Sequence, residues 1–227
     1  MGSRSVRVER VQATREQILA AAERLFAEHG VVAVSNRQIS EAAGQGNTAA
    51  VGYHFGTKID LVRAIVGKHA ADIDHIRTRM VADATGSTNV WDWVACQVRP
   101  LTEHIAALGN PSWYARFIAQ VMTDPAFRAI AIADAQDSPS LQQARVGLNR
   151  CLPDLPTSIR ATRGEMARQL MVHVSAERER ALAEGAPSNW ADWADTATGL
   201  IDGITGLLQA PITSNTKHTQ PDSSRKY

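Results

Sequence analysis

The sequence predicts an all-α protein, and three observations support that prediction. Apolar residues recur every three or four positions through most of the 227 residues, which is the spacing of one buried helix face. Glycine, proline and N-capping residues separate these segments at helix-like intervals. No segment shows the apolar–polar alternation of a half-buried strand. With 44% hydrophobic residues, the chain can bury a sizeable core in one or two domains.

Residues 1–12 are rich in arginine and show no periodicity, so they begin no predicted helix. One interpretation is a flexible, solvated tail, and the other is a basic arm that lies along nucleic acid. The first helix is expected to start at Thr14, with Gln17 completing a capping box, and to end at Gly30. Its predicted buried stripe consists of Ile18, Ala22, Leu25, Phe26 and His29.

The next stretch, from Ser35 to Lys58, reads as two short helices joined by a tight turn, followed by the start of a third helix. Ser35 is a good N-cap for the first short helix. Gly44 stands where a helix C-terminus requires positive φ. Thr57 is expected to cap the long helix that follows.

The second short helix carries slim side chains on the face that would meet DNA bases in a major groove. Donors able to reach phosphate oxygens follow it. Thr48, Ala49 and Ala50 are predicted to contact bases, whereas Tyr53, His54 and Lys58 would hold phosphates with support from Arg37 and Asn47. From the residue spacing alone, an ordinary helical hairpin that does not bind DNA is an equally good interpretation.

Three sequence motifs, which follow one another along the chain, make the interpretation of this region more specific. They are A-x-x-L-F-x-x-x-G (Ala22, Leu25, Phe26, Gly30), R-x-I-x-x-x-A-G (Arg37, Ile39, Ala43, Gly44) and Y-H-F-x-[ST]-K (Tyr53, His54, Phe55, Thr57, Lys58). Residues 12–66 thereby resemble the DNA-binding domain of TetR-family transcriptional regulators. The resemblance implies a homodimer that binds a double-stranded DNA operator and carries an effector pocket in its variable C-terminal domain.

Two features depart from the family pattern. Gly52 stands where relatives commonly have an aromatic residue before the Y-H-F triplet, so a usual phosphate contact is missing. The stretch from Gly44 to Tyr53 also has one residue more than the commonest form. Base-reading positions therefore do not transfer directly from relatives.

A long helix from Thr57 to about Ala84 has apolar residues throughout at helical spacing, so it would connect the reading head to the next domain. The predicted organisation is a flexible basic arm, an N-terminal three-helix helix-turn-helix DNA-binding domain, a C-terminal helical ligand-binding and dimerisation domain sharing the long helix, and a disordered tail. In this order, the four parts cover residues 1–12, 13–60, 61–211 and 212–227.

Six further helices are expected after the long one. They cover approximately residues 90–108, 112–123, 125–135, 137–151, 157–185 and 189–209, with Ser112 and Asn189 as caps for the second and the last. The final helix carries glycines at 3–4 spacing, Gly199, Gly203 and Gly206, which favours close approach of another helix. The last two long helices would pair with their copies in a homodimer, as the resemblance implies, or pack only within one chain.

Aromatic and methionine side chains cluster in the middle of the chain, with a few polar groups among them. This combination is typical of a small-molecule site, although a plain core has the same composition. The candidates for binding an apolar or aromatic effector are Trp91, His104, Trp113, Arg116, Phe117, Met166, Gln169 and His173.

Other classes of function find little support. The sequence shows no catalytic or phosphate-loop motif, so no enzyme activity, cofactor or metal is predicted. Cys96 and Cys151 lack metal spacing, and no signal peptide or membrane-spanning run is visible, so a cytoplasmic location is expected. The interpretation is a repressor released by a small ligand. The alternative is a helical DNA-binding protein without an effector, acting through protein partners or as an architectural factor.

Overall fold

The computed structural model describes residues 2–136 and 138–213, and within them it contains ten α-helices and no strand. The all-α prediction is therefore confirmed. The helices are α1 (Gly2–His29), α2 (Asn36–Ala42), α3 (Ala50–Phe55), α4 (Lys58–Asp83), α5 (Val90–Leu108), α6 (Tyr114–Thr123), α7 (Pro125–Gln136), α8 (Pro139–Arg150), α9 (Thr157–Glu184) and α10 (Trp193–Gln209).

Helix α1 begins earlier than the sequence predicts. It starts at Gly2, so Thr14 lies inside the helix rather than at its cap. No glycine or proline lies between Gly2 and Gly30, and therefore nothing in the chain interrupts the helix. The expectation that no helix begins within residues 1–12 is therefore wrong over residues 2–12, which are helical.

The first four helices contribute most of one apolar cluster, called here the head core, to which side chains of α5, α6 and α7 also belong. It is centred on side chains with 0% exposure, namely Ile18, Ala22, Phe26, Ile39, Val51, Leu61 and Ile65. Of the predicted stripe of α1, Ile18, Ala22 and Phe26 are buried, Leu25 is half-buried against the same cluster, and His29 is exposed at the helix end. Burying large side chains such as Phe26 and Leu61 contributes about 1.5–3 kcal/mol each, enough to hold short helices that would be unstable alone.

Helix α4 belongs to both halves of the molecule, as predicted. The Thr57 hydroxyl accepts the Asp60 N–H at 3.1 Å, and the Asp60 carboxylate accepts the Thr57 N–H at 3.2 Å. This capping box confirms Thr57 as the start signal. The first turns of α4 complete the head core, whereas Val81 near its end packs with Trp93 and Cys96 of α5.

The C-terminal half consists of α5 to α10. Helix α5 packs along α10, with Val98 and Ile201 both at 0% exposure in their contact. Helix α6 lies between α1 and α9, so it contacts the head as well as the C-terminal half.

Two helices of this half start later than the sequence predicts. Helix α6 begins at Tyr114 because the Ser112 hydroxyl donates to Glu179 instead of capping the helix. Helix α10 begins at Trp193, and Asp192 replaces Asn189 as its cap by accepting the Asp195 N–H at 2.8 Å.

The C-terminal end of the described chain has no regular structure. Residues 211–213 follow α10 without regular structure, and the predicted disordered tail lies from residue 214 onward outside the described residues. In the described part of the chain no helix has the length and apolarity needed to cross a membrane.

Candidate nucleic-acid interface

The first short helix, α2, is fixed at both ends as its sequence predicts. The Ser35 hydroxyl accepts the Gln38 N–H at 3.3 Å, and the Gln38 side-chain oxygen accepts the Ser35 N–H at 2.8 Å. Gly44 follows the helix with φ of 66°. The Ser40 hydroxyl donates to the Thr48 carbonyl oxygen at 3.2 Å. These contacts fix the turn that leads into α3.

Helix α3 presents a narrow exposed strip. Asn47 accepts the Ala49 N–H at 2.9 Å through its side chain, which shapes the turn before the helix. Thr48, Ala49 and Gly52 are exposed, and a Cβ atom added at Gly52 would meet nothing within 4 Å. Tyr53 is 83% exposed. We call Thr48, Ala49 and Gly52 the reading surface, and Tyr53 lies at its edge.

Ala50 does not belong to this surface. It is 7% exposed and packs in the head core with Val51 and Phe55. Helix α3 begins at Ala50. The Ala50 side chain faces the core, whereas the side chain of Ala49, one residue earlier, is exposed. The prediction that Ala50 contacts a base is therefore corrected.

Arg15 holds the end of α3, a role that sequence reasoning missed. Its guanidinium donates to the His54 carbonyl oxygen and lies 4.3 Å from the centroid of the Phe55 ring. Arginine stacks readily on aromatic faces while it donates hydrogen bonds. Arg15 thus ties α3 to α1 across a separation of 39 residues, which no local sequence signal indicates.

Lys58 was predicted to hold phosphate, but the structure gives its ammonium group other partners. Its Nζ donates to the carbonyl oxygens of Val31, Val32 and Val34 at 3.0, 3.4 and 2.7 Å. An ammonium group has three donors, so all are engaged. Burial lowers the pKa of Lys58. Lys58 therefore fixes the link between α1 and α2, and its predicted phosphate role is corrected.

The remaining predicted DNA contacts lie at the edge of the reading surface. Arg37 is exposed and pairs with Glu41 at 2.8 Å one turn further along α2. His54 is half-buried, and its ring packs edge-on against Tyr53 with centroids 5.0 Å apart. Arg37, Asn47, Tyr53 and His54 thus place polar atoms around the slim strip.

The eight predicted effector residues range from fully buried to exposed in the structure. Phe117 and His104 are core residues, at 0% and 4% exposure. Trp113 packs against the head core. The Trp91 indole donates to Asp202 at 2.8 Å.

The other predicted effector residues are also occupied or face outward. Arg116 pairs with buried Glu179. Met166 is 49% exposed on α9. Gln169 and His173 bond to each other at 3.1 Å on the same helix. The aromatic spacing indicates core packing at Phe117 and Trp113, whereas Met166 lies on the exposed face of α9.

One open crevice lies elsewhere in the C-terminal half. It encloses about 420 Å³ between α4, α5 and α8. Its lining contains none of the eight predicted residues and consists of Val81, Thr85, Gly86, Trp93, Pro139, Gln142, Gln143, Val146, Gly147 and Arg150.

The head therefore combines a tightly fixed helix-turn-helix with a slim exposed strip, which defines a DNA-binding protein of the helix-turn-helix class. Comparison with protein families identifies the group. Residues 18–65 match the family described as bacterial regulatory proteins, tetR family. Residues 95–206 match the tetracyclin repressor-like C-terminal domain. The chain belongs to the TetR family of bacterial regulatory proteins.

Individual proteins are also similar to this chain, and two of them are the following. The HTH-type transcriptional repressor AcnR of Corynebacterium glutamicum is 32% identical over 116 residues, which are 51% of this chain and 55% of AcnR. The chain thus spans about half the length of the curated relative it matches. The TetR family regulator PfmR from Thermus thermophilus has 16% identity and a TM-score of 0.47, over 88% of this chain and 97% of PfmR.

Proposed function

We propose that this regulator is a repressor that binds a palindromic DNA operator as a homodimer. The reading surface carries the proposal, because it is exposed, slim and rigidly held. A helix enters a major groove only where its outer side chains leave room for base edges. Relationship to a repressor, AcnR, supports repression rather than activation.

The roles of the head residues follow from their positions. The Thr48 hydroxyl and the Ala49 methyl group contact base edges, and Gly52 lets the helix approach closely. Tyr53 and His54 contact phosphates on one side, with Arg37 and Asn47 on the other. Phosphate contacts set the register of the helix, and the base contacts set its sequence preference.

The homodimer forms through α9 and α10. Met166 and Leu170 lie one turn apart on α9 and are 49% and 42% exposed, so they offer adjacent apolar surface to a second copy of the chain. On α10, Gly203 and Gly206 are exposed, with nothing within 4 Å of an added Cβ. A two-fold pairing of these helices would set two heads to read half-sites about 34–36 Å apart, or a multiple of that distance.

We further propose that an apolar or aromatic compound releases the repressor. The crevice of about 420 Å³ is the candidate site, because its size suits a small ligand and Trp93 lies in its lining. Val81 of α4 and Thr85, two residues after that helix, also line the crevice, and α4 supports the reading head. A ligand that binds one tilt of α4 better would shift the heads.

A second candidate has no effector and acts through protein partners or as an architectural factor. The packed interior favours it, since Phe117 and His104 fill the space predicted for a ligand. Like the first candidate, it involves no catalysis. The two candidates differ in one observable, namely release of bound DNA by a small molecule.

The DNA proposal is tested by a mobility-shift assay with purified protein and DNA from around its own gene, across a salt series. Saturable binding to one short palindrome against excess competitor is expected. A variant, Thr48→Val, keeps the side-chain shape but removes the hydroxyl, and it should lose sequence preference more than total affinity. Equal affinity for all DNA in the wild type would contradict operator recognition.

The effector proposal is tested by thermal shift with a panel of hydrophobic and aromatic compounds. A stabilising compound should also release the operator. Val146→Trp would fill the open side of the crevice from α8 and should remove the stabilisation while leaving operator binding intact. A panel without any stabilising compound would favour the candidate that has no effector.

A further inference from the structure

A buried cluster of ionisable side chains joins the head to the C-terminal half. His69 of α4 lies at its centre, at 2% exposure. Its Nε2 is 2.9 Å from the carboxylate of Glu23 on α1, and its Nδ1 is 2.7 Å from Nε2 of His104 on α5. Glu23 and His104 are 6% and 4% exposed. We call Glu23, His69 and His104 the histidine cluster.

The surroundings of the cluster are nearly dry. Tyr114 of α6 stacks on the His69 ring with centroids 3.9 Å apart, and burial keeps its hydroxyl neutral by raising its pKa far above the usual range. Two charged groups of α4 reach the cluster from the surface. Lys68 lies 3.7 Å from Glu23, and Asp72 lies 3.9 Å from Nδ1 of His104.

The hydrogen bonds restrict where protons can be. Ionised Glu23 requires a proton on His69 Nε2, so in the neutral pair His104 donates from Nε2 to His69 Nδ1. Nδ1 of His104 then has no proton. One proton from solvent can bind there, the His104 Nε2–H bond breaks, and an Nδ1–H bond forms on His69. The positive charge then lies beside Glu23, and no ring has to move.

The cluster cannot accommodate a second proton in the same way. It would leave two imidazolium rings facing each other with a proton on both nitrogens, which are 2.7 Å apart. Burial, and then the charge of His69, lower the pKa of His104. An unfolded chain takes up this proton near pH 6.5 while the folded chain resists it, so stability from His104 is present above about pH 6.5 and is lost as the pH falls.

We propose that the histidine cluster is a pH-sensitive link between the reading head and the C-terminal half, and that a second proton breaks it. Breaking the His69–His104 bond separates α4 from α5 where the two halves join. The head then samples more orientations, and fewer of them fit an operator. The effect on DNA rests on the proposed function, whereas the link itself does not.

The link is tested without DNA by urea unfolding at several pH values between 7.5 and 5. His104→Gln is the key variant, because the glutamine amide reaches the position of Nε2 but does not titrate. Exposed His75→Gln on α4 is the matched control. The folding equilibrium constant of the wild type should fall relative to His104→Gln by up to about tenfold per pH unit below pH 6.5. Parallel curves for the two proteins would overturn the proposal.

Imidazole NMR of the wild-type protein gives a second measurement that needs no variant. The His104 ring should take up the second proton well below pH 6.5, and the same transition should appear in the resonances of the His69 ring that contacts it. Independent titration of both rings near pH 6.5 would overturn the proposal.

The regulatory part is tested by operator affinity at pH 7.5 and 5.5 and constant ionic strength. The wild type should lose at least fivefold more affinity than His104→Gln, a comparison that cancels every effect of pH on the DNA interface that the two proteins share. An equal loss in both proteins would overturn regulation through the cluster. If no DNA binds specifically, the proposed function fails while the two DNA-free measurements still decide the link.

Discussion

Glu179 of α9 and Arg116 of α6 form a buried ion pair, with the Arg116 Nε–H donating to the carboxylate at 3.1 Å. The same carboxylate accepts the backbone N–H groups of Arg116 and Ala115 at 2.9 and 3.2 Å and the Ser112 hydroxyl at 2.8 Å. Glu179 is 2% exposed, so no water replaces these bonds. A side chain of one helix thus caps the first turn of another, where negative charge is favoured.

Removal of this carboxylate should destabilise the protein strongly. Glu179→Ala leaves a buried guanidinium and several N–H groups without an acceptor, so we expect a loss of about 3–5 kcal/mol in unfolding free energy. Glu177→Ala is the matched control two positions away, because its side chain is 69% exposed and its effect should stay within about 0.5 kcal/mol. Urea unfolding measures both. Similar losses in the two variants would show that the cap contributes little.

The sequence predicts local features of this fold better than distant ones. Ser35 and Thr57 cap their helices as expected, because a cap involves residues three positions apart. The Glu179 cap joins positions 63 or more apart, and the Arg15 contact with α3 joins positions 39 apart, so neither leaves a local pattern. Helices and their order are readable from spacing, whereas these contacts depend on the packing of whole helices.

In the candidate DNA-binding site, too, the sequence predicts the helices but not which individual side chains are exposed. Successive side chains of a helix point in directions about 100° apart around its axis. Of the two neighbouring alanines Ala49 and Ala50, only Ala50 therefore faces the core, and the sequence does not show which of them it is. The motif containing Lys58 predicted its position but not its partners. Three backbone carbonyls occupy its donors, and their approach depends on the path of the chain between α1 and α2.

Lys58 and Arg37 should differ in their effect on the salt dependence of DNA binding. Lys58→Met removes the donor shared by three carbonyls, so we expect a loss of about 1–2 kcal/mol in stability and an unchanged slope of log affinity against log salt. Arg37→Ala should leave stability almost unchanged and reduce that slope by about one. Filter binding across a salt series, with urea unfolding beside it, measures both quantities. A reduced slope in folded Lys58→Met would restore its phosphate role.

Ala49 and Ala50 should respond oppositely to the same enlargement. Ala49→Leu adds bulk to an exposed position, so we expect at least a tenfold loss of operator affinity with stability unchanged within about 0.5 kcal/mol. Ala50→Leu overfills the head core and should cost about 1–3 kcal/mol in unfolding free energy. Mobility shift and urea unfolding on both variants make the comparison. If Ala49→Leu binds the operator normally, Ala49 does not face the bases.

Gly147 of α8 should not tolerate a larger side chain. A Cβ atom there would lie 2.4 Å from three atoms of the Trp93 ring. That ring is 7% exposed, and its indole N–H donates to the Ser87 carbonyl oxygen at 3.0 Å, which restricts its movement. Gly147→Ala is therefore expected to lower the unfolding free energy by about 1–3 kcal/mol despite the better helix propensity of alanine.

Gly67 provides the matched control for this substitution, because it is also helical but an added Cβ would meet nothing within 4 Å. Gly67→Ala should raise stability by about 0.5–1 kcal/mol. Trp93→Leu should remove most of the penalty of Gly147→Ala when the two are combined, since the clash depends on the ring. Additive effects of these two substitutions in urea unfolding would show that strain at Gly147 arises elsewhere than against Trp93.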